Sequence, residues 1–338
     1  MKNNNKKRIG ILTGGGDCPG LNAVIRSVVK KAGQVGFEVV GIEDGWQGLV
    51  GKIQSRELKE KNVRGIMDKG GTMLGSSIIN PLKIKDGKKQ IVSNFKKLNL
   101  SVLIVVGGDG TFTIGKSLPK TFPIIAIPKT IDNDVFGTDF CIGFWSAVET
   151  ATQALDHLRT TASSHHRAMV LEVMGRDFGW IASYAGLAGG ADYIFVPEFE
   201  IDVDKVCKTI EKRTKKGKRF SLVVVSEGAK LNKKVSGIKI KDNASVGEKL
   251  SKLIKAKAGI ETRSVNLGHI VRGGVPSAFD RVLGARMGAE AVKEASKGHS
   301  QVGIGLKGDK IIVVPFSRMK GGKKVNSEVY KTASVFFN

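Results

Sequence analysis

The residues best suited to chemistry stand in one stretch, Ser101 to Asp134. Its apolar, β-branched run Val102-Leu103-Ile104-Val105-Val106 reads as a strand covered on both faces, and it breaks into Gly107-Gly108-Asp109-Gly110-Thr111. Further on, Pro123-Ile124-Ile125-Ala126-Ile127 repeats the pattern and delivers Pro128-Lys129-Thr130-Ile131-Asp132-Asn133-Asp134. Two parallel strands ending side by side place Asp109, Lys129, Asp132 and Asp134 on one edge of a sheet, the edge where open α/β folds bind ligands. The reaction is expected there.

Two other glycine-rich turns bear on that edge. Gly14-Gly15-Gly16-Asp17-Cys18-Pro19-Gly20 follows a strand expected over Arg8 to Thr13 and opens a helix in which Leu21, Val24, Ile25, Val28 and Val29 recur at helical spacing. Backbone N–H groups at such a turn, aided by the helix dipole, cradle phosphate, although many α/β proteins use one only to reverse the chain. The loop Gly70 to Ser77 permits close backbone approach to a ligand and carries no charge. Between them Trp46 offers either a base-stacking face or, more commonly, core packing.

The second half repeats the strand-then-helix rhythm without an internal repeat. Helices are expected over Trp145 to Arg159, Phe178 to Leu187, Val203 to Lys215, Val246 to Ala258 and Pro276 to Ala295. A strand over Ala168 to Val173 ends in Met174-Gly175-Arg176, one over Phe220 to Val225 ends in Ser226-Glu227-Gly228, and one over Thr262 to Leu267 runs into Gly268-His269-Ile270-Val271-Arg272-Gly273-Gly274. Arg176 and Glu227 therefore face either a second substrate edge or each other as a surface ion pair. In the polar connector Thr160 to Arg167, the adjacent His165 and His166 point opposite ways and make poor joint metal ligands, leaving Arg167 as the better site candidate.

Whole-chain properties bound the function. With 338 residues the chain can bury a sizeable core and is expected to form two lobes. Its 43 glycines fit an α/β fold rich in tight strand-to-helix turns. The three cysteines, Cys18, Cys141 and Cys207, lack the paired spacing of a zinc site or a disulfide framework. The net charge of +24 is spread over Lys2 to Arg8, Lys212 to Arg219, Lys230 to Lys241 and Lys320 to Lys324 without interleaved aromatics, so it reads as solvated surface attracting anionic small molecules, with no specific nucleic-acid partner. The start of the chain is polar and basic, and no apolar run reaches the ~20 residues that span a bilayer, so a cytoplasmic protein without membrane partners is expected.

Taken together, Gly15 to Ala23, Gly107 to Thr111, Pro128 to Asp134, Glu172-Val173-Met174-Gly175-Arg176 and Leu267 to Gly274 resemble the motifs of the 6-phosphofructokinase family, in its order and approximate spacing, from about Arg8 to Phe316. The resemblance implies an α/β fold of two Rossmann-like lobes with mainly parallel sheets. Residues 1–140 plus 255–305 would form the nucleotide- or donor-binding lobe, and 141–254 plus 306–338 the sugar-phosphate lobe. It further implies a glycolytic kinase, a transferase that moves a phosphoryl group from ATP to the C1 hydroxyl of fructose 6-phosphate with Mg2+. Phosphoryl transfer needs a base near the attacking hydroxyl, a metal on the transferred phosphate and cations on its spreading charge. By resemblance Asp132 is that base with Thr130 beside it, Asp109 is the magnesium carboxylate acting through water, and Asp134 is a supporting acid. Gly15, Gly108, Gly110 and Thr111 match positions lining the nucleotide. Met174, Gly175, Arg176, Glu227, His269 and Arg272 match sugar-phosphate contacts of the same subunit, and Arg167 and Arg263 match two arginines supplied by a neighbour in a homodimer or homotetramer.

The donor and one departure follow from the same comparison. Pyrophosphate enzymes of the family carry Asp after Gly-Gly-Asp, blocking the α-phosphate, whereas Gly110 leaves that space open and favours ATP. Lys129 stands where ordinary bacterial ATP enzymes have Gly, and matches pyrophosphate enzymes and a subset of ATP enzymes. Ile78 replaces an arginine that reaches the transferred phosphoryl group, and Lys129 is expected to substitute for it in part. A pyrophosphate-dependent enzyme and a weakly catalytic, sugar-phosphate-binding regulatory subunit are the alternatives. NAD kinases and lipid kinases share Gly-Gly-Asp-Gly-Thr but lack the sugar-phosphate set. Arg26, Arg159, Lys216 and Lys218 fall near an effector pocket of bacterial homologues, while Glu60 and Lys61 replace an Arg-Tyr pair there.

Overall fold

The apolar runs of the chain form two sheets. A computed structural model describes residues 7–200, 202–231, 243–335 and 337. The lysine-rich loop or hairpin expected from Lys230 to Asn243 falls largely outside them. In chain order the first elements are β1 (Arg8–Thr13), α1 (Leu21–Gln34), β2 (Glu38–Ile42), β3 (Ser55–Leu58), α2 (Gly87–Lys97), β4 (Val102–Gly107), α3 (Asp109–Lys116), β5 (Ile124–Pro128) and α4 (Phe144–His165). Then follow β6 (Ala168–Val173), α5 (Trp180–Ala188), β7 (Tyr193–Phe195), α6 (Val203–Lys215), β8 (Ser221–Ser226), α7 (Val246–Ala258) and β9 (Thr262–Asn266). The last are α8 (Ala278–Ser296), β10 (Val302–Lys307), β11 (Lys310–Pro315) and α9 (Ser327–Ser334).

One compact unit comprises Met1–Ser146 and Arg272–Lys323. Its seven-stranded sheet has the order β11-β10-β5-β4-β1-β2-β3. The five strands from β10 to β2 are parallel, and β3 and β11 close the two edges antiparallel. Every residue of β4 and β5 is buried, as expected of strands covered on both faces. From β1 the chain goes to β2 on one side and returns to β4 on the other. The crevice beyond the carboxyl ends of β1 and β4 is therefore a topological switch point. Helices α1 and α8 pack closely because Gly288 faces α1, where an added β-carbon would stand 2.9 Å from the Val24 carbonyl oxygen.

The other unit comprises Ala147–Val271 and Lys324–Asn338. Its four-stranded sheet has the order β7-β8-β6-β9 and is parallel throughout. Val206, Ile210, Leu250 and Ile254, at helical spacing on α6 and α7, are buried with Val170, Val223 and Val225 of the sheet.

Several elements differ from the sequence-based expectation. Helix α4 runs through to His165, so the expected polar connector is mostly helix, and His166 turns the chain with φ +54°. The strand β10 was not expected because glycines alternate in it. Gly303 lies against the Met319 side chain, where no β-carbon fits. Helix α2 hides among lysines, burying only Gly87, Ile91, Asn94 and Phe95. The units divide at 146, 272 and 323, where 140, 255 and 305 were expected. β9 pairs with β6 in the second sheet, and the β10–β11 hairpin extends the first. No helix among the described residues is long and apolar enough to cross a membrane.

Candidate active site

Three loops meet at the carboxyl edge of the first sheet because three parallel strands end together. Pairing brings Thr13 of β1 beside Val106 of β4, and Gly107 of β4 beside Pro128 of β5. The turn after β1 is pinned from all sides. Gly14 donates to the Val106 carbonyl at 2.9 Å, and the Ser76 hydroxyl donates to the Gly15 carbonyl. The Thr13 hydroxyl donates to the Gly75 carbonyl at 2.8 Å. Gly15 takes φ +78°, which glycine adopts without penalty. Thr111 is buried, and its side chain fills the space between the turns, since a β-carbon on Gly14 would stand 2.8 Å from Thr111 Oγ1. The Trp46 indole is buried and donates to the Thr111 carbonyl at 3.2 Å, so it braces α3 and presents no stacking face.

Lys129 is buried to 2 % exposure, and its ammonium turns back under the turn after β1, donating to the carbonyls of Gly14, at 2.9 Å, and Gly16. Burial pushes its pKa below the ordinary lysine value. Nearby Cys18, Asp17 and Asp132 oppose that shift and Arg272 reinforces it. Arg272 belongs to this unit and lies against the turn, donating to the Asp17 carbonyl at 3.2 Å. Asp132 is buried, and its backbone N–H donates to Thr130 Oγ1 at 3.1 Å. Asn133 follows, fully buried with φ +49°, its amide oxygen accepting from Cys141 N at 2.8 Å.

Asp109 is exposed at the start of α3, and one carboxylate oxygen accepts from Gly321 N at 2.7 Å. Gly110 beside it is open, with nothing within 4 Å of an added β-carbon. Among the described residues no cluster of three or more His, Cys, Asp and Glu side chains could hold a metal. A single exposed carboxylate is nevertheless a donor that suits Mg2+, which keeps several waters and takes its remaining oxygens from phosphates. Ile78 is 89 % exposed.

The second unit has its own set of strand ends. Val173 pairs with Ser226 and Glu172 with Asn266, so Met174, Gly175, Arg176, Glu227 and His269 all follow the carboxyl ends of paired strands. Glu227 is the organiser. One carboxylate oxygen accepts from Gly175 N at 3.2 Å and from Arg176 N at 2.9 Å, holding a turn in which Arg176 takes φ +50°. This is a side chain-to-backbone clasp. Arg176 and His269 are exposed and Met174 is half-buried. Arg167 and Arg263 lie at the opposite, amino-terminal edge of this sheet, beside Glu261. There Lys255, then Arg263 and Arg167, hold the Glu261 carboxyl below the usual range.

Sequence reasoning missed residues that act at long range. Glu172, buried in β6, accepts from Gly247 N at the start of α7 at 2.6 Å and from Asn266 Nδ2 at 3.0 Å. Asp280, fully buried at the start of α8, accepts from Gly143 N at 2.9 Å and Ser146 N at 2.7 Å, capping α4. Lys323 turns inward from a run read as solvated surface. No local pattern distinguishes Asp280 and Lys323 from ordinary surface charges, whereas Glu172 stands inside an apolar strand run. Of the effector candidates, Arg159 and Lys218 line a cavity of about 490 Å³ in the second unit with Asp192 and Arg213, while Lys216 is not among its lining residues.

Comparison with known proteins points to one family. A model of the phosphofructokinase family matches residues 8–295. An ATP-dependent 6-phosphofructokinase of Corynebacterium efficiens is 41% identical over 98% of this chain and 99% of its own. A pyrophosphate–fructose 6-phosphate 1-phosphotransferase of Dictyoglomus thermophilum is 42% identical, again over 98% and 99%. Among solved structures, a phosphofructokinase from Saccharomyces cerevisiae superposes with a TM-score of 0.80 at 31% identity, covering 97% of this chain and 46% of that one. This chain thus spans less than half of the yeast polypeptide. With the sequence motifs, the paired strand ends and full-length relatives in accord, the chain belongs to the phosphofructokinase family.

Proposed function

We propose that the protein is an ATP-dependent 6-phosphofructokinase, transferring a phosphoryl group from ATP to the C1 hydroxyl of fructose 6-phosphate and releasing fructose 1,6-bisphosphate. The observation that carries the choice of donor is the open space at Gly110 beside the exposed Asp109. A carboxylate at position 110 would repel an α-phosphate, and glycine does not.

Each residue then has a task. Asp132 accepts the proton of the attacking hydroxyl, with Thr130 shaping its turn. Gly15, Gly108, Gly110 and Thr111 line the donor, and Lys129 locks the turn after β1 so that its N–H groups stay directed at phosphate. Asp109 would hold Mg2+, which when bound neutralises charge on the transferred phosphate. Arg176 and His269, with the turn of Met174 and Gly175 clasped by Glu227, are the second unit's candidates for receiving the sugar phosphate, and Arg272 is the first unit's candidate for the same role.

Arg167 and Arg263 complete that set from a second copy. They sit a strand length, ~20 Å, from Arg176 and His269 on their own sheet, too far for one subunit's arginines to grip one phosphate. The protein is accordingly a cytoplasmic homo-oligomer, dimer or tetramer, in this reading. Pyrophosphate is the second reading of the donor, since Lys129 matches pyrophosphate enzymes as well as a subset of ATP enzymes. A coupled assay with fructose 6-phosphate, Mg2+ and each donor separately tests both. Turnover with ATP is expected, and turnover with pyrophosphate alone would transfer the assignment to the second reading.

A further inference from the structure

We propose that the C-terminal segment Met319 to Lys323 positions both carboxylates of the proposed reaction, with Gly321 setting Asp109 and Lys323 setting the loop that carries Asp132. This rests on the roles given to Asp109 and Asp132 above. The two carboxylates arrive on different strands, β4 and β5, and their motifs are separate loops, so something must hold the loops in register. One short segment touches both.

At Asp109 the contact is backbone to carboxylate. Gly321 N donates at 2.7 Å, and the approach is so close that a β-carbon on Gly321 would stand 2.9 Å from Asp109 Cβ and Cγ. Glycine is required there to orient that side chain. Two residues on, Lys323 N donates to the Asp134 carbonyl at 2.8 Å. Its half-buried ammonium donates to the carbonyls of Thr138 and Asp139, each at 2.9 Å, and to Asn133 Oδ1 at 3.3 Å. One cation therefore ties together the loop from Asn133, immediately after the base, to Asp139. Charge-assisted donors of this kind hold carbonyls more tightly than neutral ones. The segment is itself anchored, since Phe136 N donates to the Lys320 carbonyl at 2.8 Å and Met319 is fully buried. Gly321 acts through Asp109 and Lys323 through the loop after Asp132, so both are positioning residues.

The test compares Lys323→Met and Gly321→Ala with Lys324→Met, an exposed neighbour. Hydrogen exchange is read first because it needs no activity. In Lys323→Met the amides from Asp134 to Cys141 exchange about tenfold faster while those of β4 and β5 stay protected. With ATP, the same variant loses about tenfold or more in kcat at a KM for fructose 6-phosphate changed by less than about twofold. In Gly321→Ala the half-saturating Mg2+ concentration rises several-fold at unchanged sugar-phosphate KM, and Lys324→Met behaves as the parent. Parental exchange and parental kinetics in both variants, or equal losses in Lys324→Met, overturn the proposal. Should Lys323→Met fail to fold, Gly321→Ala decides alone by metal saturation and by exchange at the start of α3. An inactive parent protein would remove the proposed function, while unchanged exchange in the variants would remove the positioning role.

Discussion

The Lys129 ammonium donates to the Gly14 carbonyl at 2.9 Å, tying the end of β5 to the turn after β1. With the second bond to Gly16, this lysine shapes the turn after β1 from beneath. Removing it as Lys129→Gly leaves two carbonyls without their charged donor and frees the turn. A fall in kcat of about 10²-fold is expected, as for loss of an oriented electrostatic element. Steady-state kinetics with ATP and fructose 6-phosphate decide it, and full turnover in the variant would show that Lys129 contributes nothing.

Gly110→Asp separates donor choice from folding. The added side chain meets nothing within 4 Å, and an acid in the first turn of α3 suits the helix dipole, so stability should hold. In the proposed function its charge faces the donor. We expect kcat/KM for ATP to fall by about 10²-fold or more while the melting temperature moves by less than ~2 °C. Unchanged ATP kinetics in the folded variant would sink the steric account of Gly110.

Sharing of the site between copies is testable by complementation. Asp132→Asn and Arg263→Ala should each be nearly inactive as pure homo-oligomers. Mixed subunits of the two contain sites in which neither residue is altered. After dissociation and reassociation of an equimolar mixture, activity should recover to about a quarter of the parent, the fraction expected for random pairing of two-fold-related sites. No recovery, with mixed oligomers demonstrably formed, would place Arg263 outside the neighbour's site.

Alkaline sensitivity should come from the cysteines. Burial pushes the Cys18 and Cys141 thiols up to about 12 from 9.0, and Cys207 up to about 11. The folded state therefore keeps protons that the unfolded chain releases above pH 9.0. Stability is full below that pH and declines as pH rises toward 12, by up to about 4 kcal/mol for each of the two deepest thiols. Urea melts between pH 8 and 10.5 should show the fall beginning near 9, and replacement of Cys141 by Ala should reduce the slope. At neutral pH none of the three thiols should react with a thiol reagent until the protein unfolds.

The legible parts of the fold were those written in short-range pattern. Apolar runs rich in β-branched residues announced β1 and β4, which run into glycine, and β5, which ends in proline, and helical spacing announced α1, α6 and α7 to within a residue or two. Elements whose pattern was diluted escaped: β10 by glycine alternation, α2 by lysines around a narrow apolar stripe, and the last turns of α4 by their polarity.

The sequence by itself determined the family, the mainly parallel α/β architecture and the residues at the strand ends, because each is encoded within a motif of a few adjacent positions. Only the tertiary structure decided what those residues touch. Lys129 binds carbonyls 113 and 115 positions away, Lys323 reaches a loop more than 180 positions earlier, and Gly321 meets Asp109 across 212. It also set Arg167 and Arg263 together at one edge of their sheet, since pairing decides which strand starts lie side by side. Side-chain direction and long-range partners depend on how strands pair and loops return, and no local pattern of residue types carries that information.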